Sequence, residues 1–163
     1  MKEFDIVKAK TKEDCKICSE FMSKLIDFEA GFDSTINSNV IVSELFEKNI
    51  DNKDFYFAYA IKEKPIGFIF GYLQVPKGKV RSTNILNLEG IFIDETYRKS
   101  GVGKILLKSF EDWAKIQYND YIIEITYINK NENARNFYES LGYIPVKTIL
   151  RKWQKVELVQ LKH

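Results

Sequence analysis

Histidine is nearly missing from this chain: the single one, His163, is the last of 163 residues. A Ser-His-Asp triad, a Cys-His pair or a histidine-rich zinc site each needs an imidazole held inside the fold. The chemistry must therefore run on carboxylates, tyrosines, backbone amides or a cofactor. Cysteine is almost as scarce, with only Cys15 and Cys18, spaced C-x-x-C. A metal site would want a second ligand pair, and a redox dithiol would follow a strand in a thioredoxin-like context. With neither in place, the two thiols read as small apolar side chains of a helix, and no metal is expected. No apolar run approaches the ~20 residues of a membrane span. The opening M-K-E-F-D-I lacks the apolar region of a secretory signal, so the expected location is cytoplasmic, with no membrane partner. Charge of one sign is not concentrated either: 25 Lys and Arg are interspersed with 23 Asp and Glu, for a net +2. Nucleic acid as a partner gets little support from that pattern.

What is present fits one soluble domain over residues 1–163, with 45% apolar residues to build its core. Alternation predicts strands at 4–9, 54–61, 65–75 and 84–93, the middle pair joined by a K-E-K-P turn. Thr11 and Asp14 resemble a capping box opening a helix whose stripe is Ile17, Phe21, Leu25 and Phe28. A second helix is expected over 40–48. From Gly101 the period turns helical, with Leu106, Phe110, Trp113 and Ile116 in register. Residues 121–128 read as a strand, 133–141 as a short helix ended by Gly142, and 146–153 and 156–161 as two closing strands. The order β-α-α-β-β-β-α-β-α-β-β gives an α/β (α+β) fold. Its mixed, mainly antiparallel sheet has six to seven strands, a central right-handed β-α-β crossover and helices on both faces.

Between the strand at 84–93 and the next helix lies D-E-T-Y-R-K-S-G-V-G-K, residues 94–104. A helix's first N–H groups and its dipole make an anion site there. Gly101 and Gly103 let a pyrophosphate come close to the backbone, and Arg98, Lys99 and Lys104 surround it with positive charge. A dinucleotide fingerprint fails for want of its third glycine, and G-K-I departs from a Walker A loop. R-x-x-G-x-G, Arg98 through Gly103, closely resembles the acetyl-CoA pyrophosphate loop of the GNAT superfamily. About thirty residues on, N-E-N-A-R-N-F-Y-E-S-L-G-Y (131–143) resembles that family's second signature, N-x-x-A-x-x-F-Y-x-x-x-G-[FY]. The two motifs stand in the family's order on the expected elements.

The resemblance implies an acetyl-CoA-dependent N-acetyltransferase acting on an amine by direct attack in a ternary complex. It also implies that strands 84–93 and 121–128 splay at their C-terminal ends. Pantetheine would lie in that gap against the backbone of Ile91, Phe92 and Ile93. The pyrophosphate would sit on Arg98, Lys99, Ser100, Gly101, Val102, Gly103 and Lys104, with Asn131 touching the cofactor beyond the second strand. Tyr138 matches the family tyrosine that protonates, or hydrogen-bonds to, the departing sulfur. As an aromatic beside the stripe of Ala134, Phe137 and Leu141, it also reads as a packing residue.

Aminolysis of a thioester needs a neutral amine, and an amine of pKa ~10.4 is neutral in about one molecule in 10³ at pH 7. A general base is therefore useful, and Glu89 is the candidate. Regular alternation puts it on one face with Ile91 and Ile93, where partial burial would suit the task. A bulge at Gly90 would instead turn it to solvent. Glu29 and Asp33, in the stretch 27–35 after the first helix, can attract a cationic acceptor, although charged loop residues are commonly just solvated. Other readings are a non-catalytic acyl-CoA-binding module and an interaction domain whose glycine turn is only a connector. The aromatic C-terminal strands would offer an edge at which two copies could pair as a homodimer.

Overall fold

The strand at the start of the chain, β1 (Asp5–Lys8), runs directly into α1 (Lys12–Ala30). The turn between them is closed by one carboxylate. Asp14 Oδ2 accepts the N–H groups of Lys10 at 2.8 Å and Thr11 at 2.9 Å, while Thr11 Oγ1 accepts the Asp14 N–H at 3.1 Å. The expected capping box is therefore complete, and Tyr59 adds its hydroxyl to Asp14 Oδ1 at 2.8 Å. Burial pushes the Asp14 carboxyl up, but the hydrogen bonds from Lys10, Tyr59 and Thr11 outweigh it and hold it below its ordinary value.

The computed structural model describes residues 4–74 and 83–154. After α1 come α2 (Ser43–Lys48), β2 (Phe55–Ile61), β3 (Pro65–Leu73), β4 (Asn84–Ile93), α3 (Val102–Gln117), β5 (Tyr121–Ile125) and α4 (Glu132–Ser140). By its packing the chain divides into two units, Met1–Asn131 and Glu132–His163. The first unit holds the whole sheet, in the order β1-β2-β3-β4-β5. The first four strands are antiparallel; β5 joins β4 in parallel through the α3 crossover. This is the mixed, mainly antiparallel sheet that alternation predicts.

Period-2 alternation sorts the side chains of β2 and β3 onto two cores. On one face Phe55, Phe57, Tyr59, Phe68 and Phe70 pack with Phe21 and Leu25 of α1 and Phe46 of α2. Cys15 and Cys18 are buried there as free thiols, their pKa values raised first of all by burial. On the other face Phe110 and Trp113 of α3 lie 5.9 and 5.4 Å from the Tyr56 ring. Leu107 and Ala114 complete the α3 stripe, whereas Ile116 is 86% exposed. The 3.6-residue period carries it off the stripe one turn after Trp113.

In the second unit, α4 ends two residues before Gly142, whose φ of 89° is the left-handed conformation glycine adopts readily after a helix. Tyr138 is the buried side chain of α4, so it occupies the helix's apolar face rather than lying beside it. Residues 146–153, expected as a strand, have no regular structure, and Val146, Ile149, Leu150 and Trp153 are exposed. A strand requires a laddered neighbour. The expected partner at 156–161, and with it half of the proposed dimer edge, lies outside the described residues. The sheet accordingly has five strands among the described residues rather than six or seven.

Replacing Asp14 with Ala is expected to cost about 2–3 kcal/mol, because it removes a cap and strands the Tyr59 hydroxyl. Urea denaturation at pH 7 measures this. Because the folded-state pKa is depressed, the difference from the parent should persist above the unfolded-state value and fade as pH falls through the folded one.

Candidate active site

The ladder between β3 and β4 is interrupted once. Phe70 faces Gly90 and Gly71 faces Leu88, so Glu89 is left between them as the extra residue of a β-bulge. The bulge resets the alternation of β4. Asn87 and Glu89 now share the face of Tyr72 and α1, and Glu89 does not share the face of Ile91 and Ile93. The expected partial burial is absent: Glu89 is exposed. Gly90 is required at this step, since a Cβ there would stand 2.8 Å from the Phe70 ring and 3.0 Å from Leu25.

Two side chains fix the Glu89 carboxylate. The Tyr72 hydroxyl donates to Oε2 at 3.2 Å, and the Asn87 amide donates to the same oxygen and to Tyr72 Oη at 3.3 Å. Burial, followed by the charge of Glu89, raises the Tyr72 pKa, which keeps its proton available for that bond at neutral pH. Neither Tyr72 nor Asn87 was singled out in the sequence. The detectable signal was N-L-E, two polar residues two apart on one face of an otherwise apolar strand. Beside Glu89 opens a cleft of about 580 Å³ lined by residues of α1, α2, β2 and β3.

The same bulge marks the end of the parallel pairing. The β4–β5 ladder stops at Leu88 with Ile125, while β4 continues to Ile93 paired only with β3. The ladder between the strands ends there, as the motif resemblance implied, and among the described residues the edge of β4 over Ile91, Phe92 and Ile93 is unpaired on that side. At its end the chain makes one 3₁₀ turn, Glu95–Tyr97, and enters α3 through Lys99 (φ 60°) and Gly101 (φ 89°). Two left-handed residues so close together orient successive N–H groups into a concave, anion-binding surface. Gly101 is the α3 N-cap and has no side chain to occupy the N–H groups of Val102, Gly103 and Lys104. A Cβ at Gly101 would project into open space, so the left-handed backbone rather than crowding favours glycine there. No acidic residue sits in that first turn, which leaves its positive potential uncancelled.

Arg98 is folded back. Its Nε donates to the Ile93 carbonyl at 3.0 Å, and its guanidinium lies 5.1 Å from the Phe28 ring and 5.4 Å from that of Phe92. Lys24 pairs with Asp94 at 2.9 Å nearby. These contacts tie the end of α1 to the end of β4. Ser100 donates its hydroxyl to the Tyr97 carbonyl.

Of the acceptor candidates, Glu29 is half-buried; burial, then the neighbouring charge of Glu89, raises its pKa. The structure therefore brings these two carboxylates together. Asp33 Oδ1 accepts the Thr35 N–H at 3.0 Å and hydroxyl at 2.7 Å, closing the turn after α1. Asn131 closes another turn, its N–H on the Ile128 carbonyl at 2.7 Å. In the second unit Tyr138 packs edge-on against Phe137 and Tyr143, and its carbonyl accepts the Tyr143 N–H at 3.1 Å.

A mixed sheet opened at a parallel pair, with a glycine-capped helix at the opening, defines the acyl-CoA N-acyltransferase fold. The chain belongs to the Acetyltransferase (GNAT) family, whose profile matches residues 22–143. Solved structures agree in fold. The tetramutant of the BH1408 protein from Bacillus halodurans superposes with a TM-score of 0.79 at 20% identity, over 92% of this chain and 99% of that one. AAC(6')-Iy in complex with the bisubstrate analogue CoA-S-monomethyl-acetylneamine gives 0.71 at 16% identity, covering 94% and 99%. The aminoglycoside 6'-N-acetyltransferase AAC(6')-Ih from Acinetobacter baumannii gives 0.71 at 14%, also covering 94% and 99%. Among the described residues no helix is long and apolar enough to cross a membrane.

The raised pKa of Glu29 means that its ionised form weakens the fold as pH climbs through the folded-state value. Glu29→Gln should therefore be more stable than the parent at pH 7. The two should converge below about pH 4, where the carboxyl is protonated in both states of the parent. Thermal melts across that range give the comparison.

Proposed function

We propose that this protein transfers the acetyl group of acetyl-CoA to a primary amine by direct attack within a ternary complex. The observation that carries this reading is the coincidence at one bulge: a fixed carboxylate beside a cleft, where the parallel strands begin to part. Family membership supports acyl transfer. The solved AAC(6')-Iy complex, with its CoA-linked bisubstrate analogue, supports acetyl-CoA as the donor.

In this reading the pantetheine arm pairs with the open backbone edge at Ile91, Phe92 and Ile93. The pyrophosphate sits on the N–H groups between Lys99 and Lys104, and Asn131 adds a contact beyond β5. Glu89, held by Tyr72 and Asn87, takes a proton from the acceptor ammonium, directly or through water. The neutral nitrogen attacks the thioester carbonyl, the C–N bond forms and the C–S bond breaks. The nitrogen then loses one of its two protons to solvent and keeps the other as the amide N–H, while Tyr138 supplies a proton to the thiolate and regains it from solvent. A thiol's pKa is only ~8.5, so the thiolate leaves with modest help. Glu29, on the last turn of α1, contributes negative potential at the acceptor side, and Asp33 closes the turn that follows. A family match that runs from 22 to 143, across the boundary between the two units, supports reading residues 1–163 as a single domain.

Acetyl-CoA at about 100 times its Kd should stabilise the protein by roughly 2.7 kcal/mol, a rise of several degrees in Tm. Gly101→Glu should abolish that shift, since it strains φ 89° and sets a carboxylate against the phosphates. No shift in the parent at millimolar acetyl-CoA would overturn the reading. Retained binding without thiol release across a broad set of amines would leave a non-catalytic CoA-binding module.

With a good acceptor, Glu89→Gln should lower kcat within the ~10²–10⁴ range of acid–base catalysis, and Tyr138→Phe toward its lower end. A loss under about threefold in either variant removes that residue from the role given it here.

A further inference from the structure

The cleft beside Glu89 has a composition that bears on what the acceptor carries behind its amine. One wall is a run of stacked rings: Phe55 lies 5.6 Å from Tyr72 at 11° and 5.9 Å from Phe70 at 25°. Met22 of α1 and Leu45 of α2 face that wall across the cleft. Charge enters at the Glu89 end. Both bonds that hold this carboxylate fall on Oε2, and among the described residues Oε1 accepts none.

Each of the remaining polar groups of the lining holds at least one side-chain or backbone partner. Asp54 Oδ1 accepts the Tyr118 hydroxyl at 2.7 Å, the Asn49 amide donates to the Leu45 carbonyl at 2.8 Å, and the Asn52 amide donates to Asn49 Oδ1 at 3.0 Å. A volume near 580 Å³ lies within the range of small-molecule sites, ~300–1,000 Å³.

Resting on the amine-acetylation reading above, we propose that the acceptor is a primary monoamine on an aryl or alkyl body. Its ammonium group sits at Glu89, and its body lies against the Tyr72 ring, Met22 and Leu45, with the Phe55 and Phe70 rings buried behind them. Such rings take up apolar carbon and favour a nearby cation over their faces. A hydroxyl-rich polyamine such as an aminosugar would lose hydration against Met22, Leu45 and the Tyr72 ring with few partners in return, and a site of this kind discriminates against it.

The test compares phenethylamine with kanamycin as acceptors, following thiol release from acetyl-CoA in the parent and in Leu45→Glu. Leu45 is 36% exposed, so the fold should tolerate the change, and an unaltered Tm shift with acetyl-CoA checks that it does. The parent should use phenethylamine with a kcat/KM at least about tenfold above that for kanamycin, and Leu45→Glu should raise the phenethylamine KM about tenfold, each some 1.4 kcal/mol. Equal or better use of kanamycin, or an unmoved KM in the variant, overturns the proposal while leaving acetyl transfer standing. If no amine releases thiol, calorimetric titration of phenethylamine alone separates the two readings. Binding that both Leu45→Glu and Glu89→Gln weaken about tenfold upholds the ligand class though acetyl transfer has failed. Absence of binding at millimolar phenethylamine overturns the class.

Discussion

At one step of the β3–β4 ladder, Leu88 and Gly90 are held against consecutive residues of β3, and Glu89 is left over between them. Every feature of the candidate site lies downstream of that extra residue. It moves Glu89 onto the face of α1, within reach of Tyr72 and Asn87. It coincides with the last parallel pair, Leu88 with Ile125, so the backbone beyond it is free on one side. A bulge bends its strand and increases the local twist, which is how a continuous sheet can open without losing the antiparallel pairing on its other edge. The glycine after Glu89 is part of the device, because Phe70 and Leu25 occupy the space a larger residue would need.

The two halves of the site are physically joined through Arg98. Its guanidinium lies over Phe28 at the end of α1 and Phe92 near the end of β4, while its Nε holds the Ile93 carbonyl. The sequence motif gives this arginine to the pyrophosphate. The geometry has it bridging the helix that borders the cleft beside Glu89 and the end of β4. Lys24 and Asp94 make a second, exposed bridge between the same elements. An exposed ion pair of this kind contributes little stability, so the stacked arginine is the stronger mechanical link.

Much of the architecture was legible because local physics sufficed to specify it. Thr11 and Asp14 announced a capped helix, the aromatic alternation of 54–61 and 65–75 announced a hairpin, and the glycine turn before a helical period announced the entrance to α3. The failures share one origin. Strand alternation carried Glu89 to the wrong face, because a bulge leaves no mark in the residue pattern beyond a glycine. Ile116 and Tyr138 were placed from periodicity, whereas burial is set by what packs against the helix. The strand expected at 146–153 has the right alternation but no laddered neighbour among the described residues.

The sequence by itself determined the element order from β1 through α4, the aromatic hairpin, the glycine-capped helix entrance and the family. Each of these follows from residue spacing, side-chain shape or backbone freedom within a few positions. Only the tertiary structure decided which residues surround Glu89, because Tyr72, Asn87, Glu29 and the ring-lined cleft come from different elements. Their meeting depends on strand register, and register is fixed by cross-strand packing over the whole sheet rather than by any short stretch of chain.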